Sequence, residues 1–361
     1  SSQVTSSPFL PSSSGRTRRE AARRRARRRR RALAGVVLIV AVVIVTLALG
    51  VGSAAKRSNA VARSHEAHTS RGGVPGRSPL GLRLGQPPLR LSEPSGAAQV
   101  KAVFRRPPRA GLLFDLDTGR VLWELEATRV LPVASLAKMM TALLVVRSRA
   151  PDANVLITRR AVDASGSKIG LLPLHKYVQL ETLLYGLMLP SGNDAAMALA
   201  ENVAGNVSGF VAQMNDEAAK LGLGCTRFVS PDGLENANSS CAVDLAELAY
   251  VDLAQPRIAA VTHNASAILP FPIKGGKLYL YNNNPLLRYG FPGATGLKTG
   301  ETEAAGLCLV GTAERDHVRL GVVLLHSPEL GRQAAYLLDR GFEDVYHQAP
   351  PRSEQPIPAG R

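Results

Sequence analysis

The stretch LPVASLAKMMTALLVV, Leu131 to Val146, is almost entirely apolar, yet it places Ser135 and Lys138 three residues apart. On a helix, residues at i and i+3 lie on the same side, so this spacing predicts that the two side chains are neighbours. A helix that is apolar on almost every side is usually buried, and burial lowers the pKa of a lysine towards neutrality. A neutral lysine could accept the proton of the serine hydroxyl.

This pair alone decides little, because Ser135, Lys138 and Thr141 could also form the narrow polar stripe of an amphipathic helix. The chain carries a second S-x-x-K pattern, SGSK from Ser165 to Lys168. That copy lies in a glycine-containing stretch without helical periodicity, so we interpret it as a loop. Motifs elsewhere in the chain must show whether this pair is reactive or is only the polar stripe of a packed helix.

The positive charge of the chain is confined to its first part. The 361 residues carry a formal net charge of +16, but residues 1–110 hold 22 Lys and Arg against 3 Asp and Glu, whereas residues 111–361 hold 22 against 25. The globular part is therefore mildly acidic. We assign the basic residues to a leader and a linker and predict no nucleic-acid partner.

The leader has the pattern of a membrane anchor. Residues 1–31 form a basic segment with eleven arginines between Arg16 and Arg31, and residues 32–55 follow without a charge. Such a run can span a bilayer core of about 30 Å. Because arginines stay in the cytoplasm, the rest of the chain is predicted to lie outside the cell membrane. A cleaved signal peptide, which would yield a secreted form, is the alternative, since small residues occupy positions 53–55.

Composition divides the remaining chain into three parts. Residues 56–108 are rich in Pro, Gly, Ser and Arg and are predicted to be a disordered linker, and residues 346–361 a flexible tail. Residues 109–345 are predicted to form one compact domain. No H-E-x-x-H pattern is present and the histidines of the linker lack a third ligand, so we predict no metal and no cofactor. Cys225 and Cys241 flank a loop and could pair; the sequence leaves this open.

Strand patterns occupy both ends of the domain and helical patterns its middle. AGLLFDLDTGRVLWEL opens the domain with a hairpin turn at 117–119, and GATGLKTG, AAGLCLVGTAE and VRLGVVLLH precede a closing helix, GRQAAYLLDRGF. This order predicts an α+β fold, in which an antiparallel sheet built from both chain ends packs against a helical subdomain.

Two further motifs follow Ser135 in order. PSGND places Ser191 and Asn193 just before a helix, and GLKTGET places Lys298, Thr299 and Gly300 on a strand. Each motif is common by itself. All three in this order, on helix, loop and strand, are hard to obtain by chance.

With these motifs the sequence resembles the serine-type D-alanyl-D-alanine carboxypeptidases, the low-molecular-mass penicillin-binding proteins of the S11 peptidase family. The resemblance runs from about Arg109 to Phe342 and also rests on LLYGLMLPSGNDAAMALAE, FVAQMNDEAAKLGL, TRFVSPDGLE and GLKTGETEAAGLCLV. It implies a beta-lactamase/transpeptidase-like fold. It also implies a peptidoglycan stem peptide ending in D-Ala-D-Ala as substrate and beta-lactam antibiotics as covalent inhibitors.

The resemblance implies a role for each catalytic residue. Ser135 would be the nucleophile, Lys138 its base, and Ser191 a proton relay between Lys138 and the leaving amine. A serine at the start of a helix would aim its backbone N–H at the developing oxyanion. The N–H of Glu301 would be the second donor. Relatives often carry an aromatic residue or histidine at that position, so the acidic side chain is expected to weaken substrate binding.

The resemblance also implies the substrate-binding residues. Asn193 would bind the substrate backbone, and Lys298 and Thr299 the free carboxylate of its last residue. Gly300 would let the strand approach the peptide closely, and Arg332 would also face the carboxylate.

Three alternatives remain open at this point. A beta-lactamase-like hydrolase needs a glutamate that activates water, typically in an E-x-x-x-N segment, and Glu235 in PDGLENANSS does not fit that spacing. A non-catalytic or slow penicillin-binding sensor would be acylated and then stall. A basic, membrane-tethered structural protein would leave the three ordered motifs unexplained.

Overall fold

The computed structural model describes residues 89–92, 100–349 and 357. Within this part of the chain no helix combines the length and the apolar character that crossing a membrane requires. The predicted anchor, residues 32–55, lies outside the described residues, as does the basic segment 1–31.

A five-stranded antiparallel sheet joins the two ends of the domain, as the sequence predicts. Its strands are β1 (Ala110–Asp115), β2 (Val121–Leu125), β9 (Ala294–Thr302), β10 (Gly306–Arg315) and β11 (Val318–Leu325). They lie side by side in the order β2-β1-β11-β10-β9. Strand β9 is therefore an edge strand, and one side of its backbone faces away from the sheet.

The chain between β2 and β9 supplies the helical subdomain. Its helices are α1 (Lys138–Ser148), α2 (Arg159–Asp163), α3 (Leu180–Met188), α4 (Asn193–Ala204), α5 (Val207–Lys220), α6 (Ala242–Leu253), α7 (Pro256–Thr262) and α8 (Pro285–Arg288). Several begin at capping residues: the side chain of Asn206, for example, accepts the N–H of Gly209 at the start of α5. Helix α9 (Leu330–Arg340) follows β11, and a π-helical turn (Gly341–Val345) continues it.

Short strand pairs brace this subdomain. They are β3 (Leu131–Pro132) with β6 (Ser239–Ser240), β4 (Asn154–Leu156) with β5 (Tyr177–Gln179), and β7 (Ser266–Pro270) with β8 (Lys277–Tyr281). Strand β3 ends immediately before Val133, so its pairing with β6 fixes the backbone that leads to Ser135.

Alternating residues of the central strands fill two hydrophobic layers. Leu112 and Val323 point to the cluster that also contains Met139 and Leu143 of α1. Leu113 and neighbouring residues of β10 and β11 point to the other face, where α9 and Phe342 cover them. Because side chains alternate along a strand, the sheet is buried on both faces and forms the middle of three layers.

Some described residues of the predicted linker and tail pack against the domain. Leu89 is buried, and its N–H donates to the carboxylate of Glu247. Val100 is buried and its N–H donates to the carbonyl of Leu122. In the predicted tail, Ile357 packs with the cluster beside α9. Composition could not reveal these contacts, because the partners of these residues lie far away in the sequence.

The structure answers the question of cysteine pairing. Cys225 and Cys241 form a disulfide, with their Cα atoms 5.7 Å apart. The bond closes residues 225–241 into a loop between α5 and α6.

Candidate active site

Ser135 lies in a short 3₁₀ helix, Ala134–Ala137, and the α-helix begins only at Lys138. The helix predicted at Ser135 therefore begins with a 3₁₀ turn, and the two side chains are neighbours. Ala134 has a φ of 48°, a left-handed conformation that is costly for a residue with a side chain. A Cβ at Gly233 would lie 2.0 Å from the Ala134 carbonyl oxygen, so glycine is needed there. The backbone around the serine is thus tightly constrained.

Lys138 is fully buried, and its ammonium nitrogen has three neighbours within hydrogen-bond distance. Nζ lies 2.9 Å from Ser135 Oγ, 2.7 Å from Asn193 Oδ1 and 2.6 Å from the carbonyl oxygen of Asp232. Burial lowers the pKa of Lys138 to about 7, although the negative charges of Asp232 and Asp194 oppose the shift. Near neutral pH a substantial fraction of this lysine is therefore uncharged.

The neighbours of Lys138 also orient it. The Asp232 carbonyl can only accept, and the amide of Asn193 is fixed because its Nδ2 donates to the carbonyl of Ser165 at 2.6 Å. A neutral amine has two N–H bonds and one lone pair. When both N–H bonds go to these two acceptors, the lone pair faces Ser135 Oγ. This arrangement suits a base that takes the serine proton.

Ser191 and Asn193 lie at the start of α4, where Asn193 contacts Lys138 and Ser191 lines the cleft. Ser191 is buried with a φ of 66°, and its Oγ has no hydrogen-bond partner among the described residues. A strained, unpartnered hydroxyl in a cleft suits a group that binds substrate. The buried amide of Asn193 accepts from Lys138 through Oδ1 and donates to the Ser165 carbonyl through Nδ2, so it positions Lys138. Its contact with the substrate backbone stays a prediction.

The edge of β9 forms the opposite wall of the cleft. Thr299 and Gly300 both line it, together with the exposed Glu301. A Cβ on Gly300 would lie 2.9 Å from the backbone nitrogen of Ser135, which explains why a glycine is required. The strand therefore runs directly against the N–H that the sequence assigns to the oxyanion site.

Lys298 and Arg332 are not among the residues that line the cleft, and their contact with the substrate carboxylate stays a prediction. Lys298 is buried, and Nζ donates to the carbonyl of Thr299 at 2.8 Å. Burial, and secondly the charge of Lys138, lower the pKa of Lys298 well below its ordinary value. The guanidinium of Arg332 is largely exposed and lies 3.6 Å from the carboxylate of Glu329, while the cleft lining ends at Gly331. Lys298 is therefore held inside the protein, whereas Arg332 is at the surface beside the cleft.

The cleft between the two walls has a volume of about 480 Å³. The residues that line it are Ser135, Ser167, Ser191, Asn283, Pro285, Arg288, Thr299, Gly300, Glu301, Leu307, Leu330 and Gly331. The Ser135 hydroxyl, the unpartnered hydroxyl of Ser191 and an open strand edge thus face one space that is large enough for the end of a peptide.

A family model described as D-alanyl-D-alanine carboxypeptidase, Peptidase_S11, matches residues 104–329. The chain belongs to this family. It is accordingly a serine-type hydrolase, and the sequence-based assignment of family, fold and enzyme class is confirmed.

Individual relatives carry different activity names. The D-alanyl-D-alanine carboxypeptidase DacB2 of Mycobacterium tuberculosis is 34% identical over 245 residues, which cover 65% of this chain and 82% of DacB2. A D-alanyl-D-alanine endopeptidase of Escherichia coli is 30% identical, and the match covers 56% of this chain and 65% of the endopeptidase. The structure of the Streptomyces K15 DD-transpeptidase is similar with a TM-score of 0.63 at 30% identity, over 67% of this chain and 99% of that one.

Sequence reasoning missed several residues of this S11 peptidase site. Asp232 contributes through its backbone carbonyl, Asn283 and Arg288 line the cleft, and Ser167 reaches it from a loop. The segment TRFVSPDGLE carries part of the family resemblance and contains Asp232. Because Asp232 acts through its backbone carbonyl, which every residue has, its side chain gives no hint of this role. Arg288 and Asn283 lie shortly before β9, and only the fold brings them to the cleft.

The second S-x-x-K pattern lies in a loop, as predicted. The ammonium group of Lys168 donates to the carbonyl of Val162 and is exposed, so it has neither the burial nor the serine contact of Lys138. The loop nevertheless supports the site, since the Ser165 carbonyl holds the Asn193 amide.

Proposed function

We propose that this S11 peptidase removes the terminal D-alanine from peptidoglycan stem pentapeptides through an acyl-enzyme on Ser135. The observation that carries this proposal is the contact between Ser135 Oγ and a buried Lys138 whose two other neighbours are acceptors. The names of the relatives include carboxypeptidase, endopeptidase and transpeptidase. Because hydrolysis of a free terminus needs only water as acceptor, we propose carboxypeptidase activity as the main reaction.

In the first step Lys138 takes the hydroxyl proton while Ser135 Oγ attacks the carbonyl carbon of the terminal D-Ala-D-Ala bond. The backbone N–H groups of Ser135 and Glu301 stabilise the oxyanion. The C–N bond then breaks, and the leaving amine receives the proton from Lys138, with the Ser191 hydroxyl as relay. Water subsequently attacks the ester and restores the free serine.

The open edge of β9 gives the substrate its direction. An extended peptide can add to an exposed strand edge through main-chain hydrogen bonds. Thr299 supplies a hydroxyl donor for the terminal carboxylate. Lys298 shares a face of β9 with Gly300, towards Ser135, and its side-chain nitrogen donates to the Thr299 carbonyl.

Beta-lactams are proposed to acylate the same serine. Attack of Ser135 Oγ on the lactam carbonyl breaks the ring C–N bond, but the amine stays tethered in the cleft and hinders the water that would release the ester. The enzyme is then inhibited as a stable acyl-enzyme.

We further propose that the full chain is anchored in the cell membrane with its catalytic domain outside. The charge pattern of residues 1–55 and the location of the substrate support this topology. The Cys225–Cys241 disulfide is also typical of an oxidising compartment. Protease added to intact cells should digest the domain while the full-length chain fractionates with membranes. Recovery of a soluble protein that begins at Lys56 would support the cleaved alternative.

The test of the function follows two products in parallel. The domain is incubated with a stem pentapeptide and with a fluorescent penicillin, and D-alanine release and covalent label are measured. Wild type should release D-alanine and take up label, and Ser135→Ala should do neither. Label without D-alanine release would support the sensor alternative, and rapid loss of label with hydrolysed penicillin the beta-lactamase-like alternative.

A further inference from the structure

The loop closed by the disulfide, residues 225–241, contributes one group to the catalytic site. That group is the carbonyl of Asp232, which lies 2.6 Å from Lys138 Nζ and 3.4 Å from Ser135 Oγ. Because a carbonyl oxygen cannot rotate independently of its backbone, its position depends on the conformation of the whole loop. The question is which residue fixes that conformation.

Asn238 is at the centre of the loop and is completely buried. Its Oδ1 accepts the N–H groups of Val229 and Ser230, and its Nδ2 donates to Ser230 Oγ at 3.0 Å and to the Glu235 carbonyl at 2.9 Å. All four hydrogen-bonding positions of the amide are therefore used within the loop.

Ser230 connects this amide to Asp232. Its Oγ donates to the carboxylate of Asp232 at 2.8 Å and accepts the N–H of Gly233. On the other side, the Asn238 carbonyl accepts the N–H of Val133, two residues before the nucleophile. The same residue thus fixes the loop and the backbone that leads to Ser135.

We propose that Asn238 is a positioning residue for catalysis: through Ser230 it holds the Asp232 carbonyl against Lys138 and so orients the base towards Ser135. The proposal rests on the function proposed above for Ser135 and Lys138. Asn238 does not contact the cleft, and its effect passes through Lys138.

The proposal predicts a specific kinetic change. With Asn238→Ala the Asp232 carbonyl is free to move, and Lys138 loses one of the two acceptors that aim its lone pair. Small displacements of catalytic groups cost up to about a hundredfold in rate, so the acylation rate constant should fall about tenfold to a hundredfold. Penicillin binding before acylation should be nearly unchanged, since no cleft residue is altered.

Asn215 offers a matched control, because it lies on α5 and its amide binds the same loop at Phe228. Its amide donates to the carbonyls of Val211 and Phe228 and accepts the N–H of Phe228, away from Lys138. Asn215→Ala should lower thermal stability but leave the acylation rate constant within about twofold of wild type, because additive effects are expected for sites without shared partners.

The experiment measures the saturation kinetics of penicillin acylation for wild type, Asn238→Ala, Ser230→Ala and Asn215→Ala, well below each melting temperature. Ser230→Ala removes the link to Asp232 with a smaller change, so it tests the proposal if Asn238→Ala does not fold. A fall in the acylation rate constant confined to the first two variants supports positioning. Equal effects in all three variants, or none, would overturn it. If wild type itself is not acylated at Ser135, the proposed function fails instead.

Discussion

The two walls of the cleft are built in opposite ways. On the helical wall the groups around Ser135 are buried and bonded to one another, and Lys138, Asn193 and the Asp232 carbonyl leave almost no freedom. On the strand wall Thr299 is only half-buried and Glu301 is exposed, and Arg288 at the cleft forms no ion pair among the described residues.

From this difference we expect the helical wall to carry out the reaction and the strand wall to select the substrate. A proton transfer requires fixed geometry and low solvent access, which the buried wall supplies. Recognition of a substrate end requires accessible donors and charges, which the open wall supplies. Substitutions in the helical wall should therefore change the rate for every substrate, whereas substitutions in the strand wall should depend on which substrate is used.

The largest effect is expected at the base. Lys138→Gln keeps much of the side-chain volume but cannot accept the serine proton, so acylation should slow by about 10²- to 10⁴-fold for peptide, ester and penicillin alike. The rate constant of acylation is the measurement. Lys168→Gln, in the second S-x-x-K pattern, serves as the control and should behave as wild type. A large loss in the acylation rate for only one of the three substrates would contradict the different roles of the two walls.

A smaller and selective effect is expected on the strand wall. Thr299→Val removes a hydroxyl donor at nearly constant volume, and a hydrogen bond to a charged group contributes about 1.5–3 kcal/mol. For a peptide with a free carboxylate, kcat/KM should fall about tenfold to a hundredfold. A generic ester without the carboxylate should lose much less. Equal losses for both substrates would mean that Thr299 serves the chemical step or the fold.

The sequence predicts the buried wall better than the open one. The S-x-x-K spacing within an apolar run indicates the Ser135–Lys138 contact because both residues share one local segment. The 3₁₀ geometry at Ser135 and the outward course of Arg332 depend on neighbouring segments, and the sequence carries no local signal for them. Asp232 acts through its backbone carbonyl, and Arg288 reaches the cleft only because the fold brings it there. Neither could therefore be identified from its residue type.

The pH dependence of acylation tests the electrostatics of the buried wall. Because burial lowers the pKa of Lys138 to about 7, the reactive neutral amine is lost as the pH falls through that value. The acylation rate should level off above pH 7 and drop about tenfold for each pH unit below it. Penicillin acylation measured between pH 5.5 and 9 gives the profile. A midpoint near that of an ordinary lysine would show that Ser135 is not activated by a desolvated base.

The smallest effect is expected at Glu301. Its exposed carboxylate lies on the wall that is proposed to receive the substrate carboxylate, and interactions between exposed charges are worth about 0.2–1 kcal/mol. Glu301→Gln should therefore raise kcat/KM for the free-acid peptide about 1.5- to fivefold and leave the ester unchanged. Glu303→Gln, a nearby exposed glutamate outside the cleft lining, is the matched control. A rise with the ester as well would show that Glu301 acts on more than charge.

The central claim is that the buried pair Ser135–Lys138, and not the exposed pair Ser165–Lys168, carries the chemistry. Its most direct test is to label the wild-type domain with a penicillin, digest it and locate the adduct by mass spectrometry, with Ser135→Ala and Ser165→Ala alongside. The adduct should lie on Ser135, vanish in Ser135→Ala and persist in Ser165→Ala. An adduct on Ser165, or labelling that survives Ser135→Ala, would contradict the account.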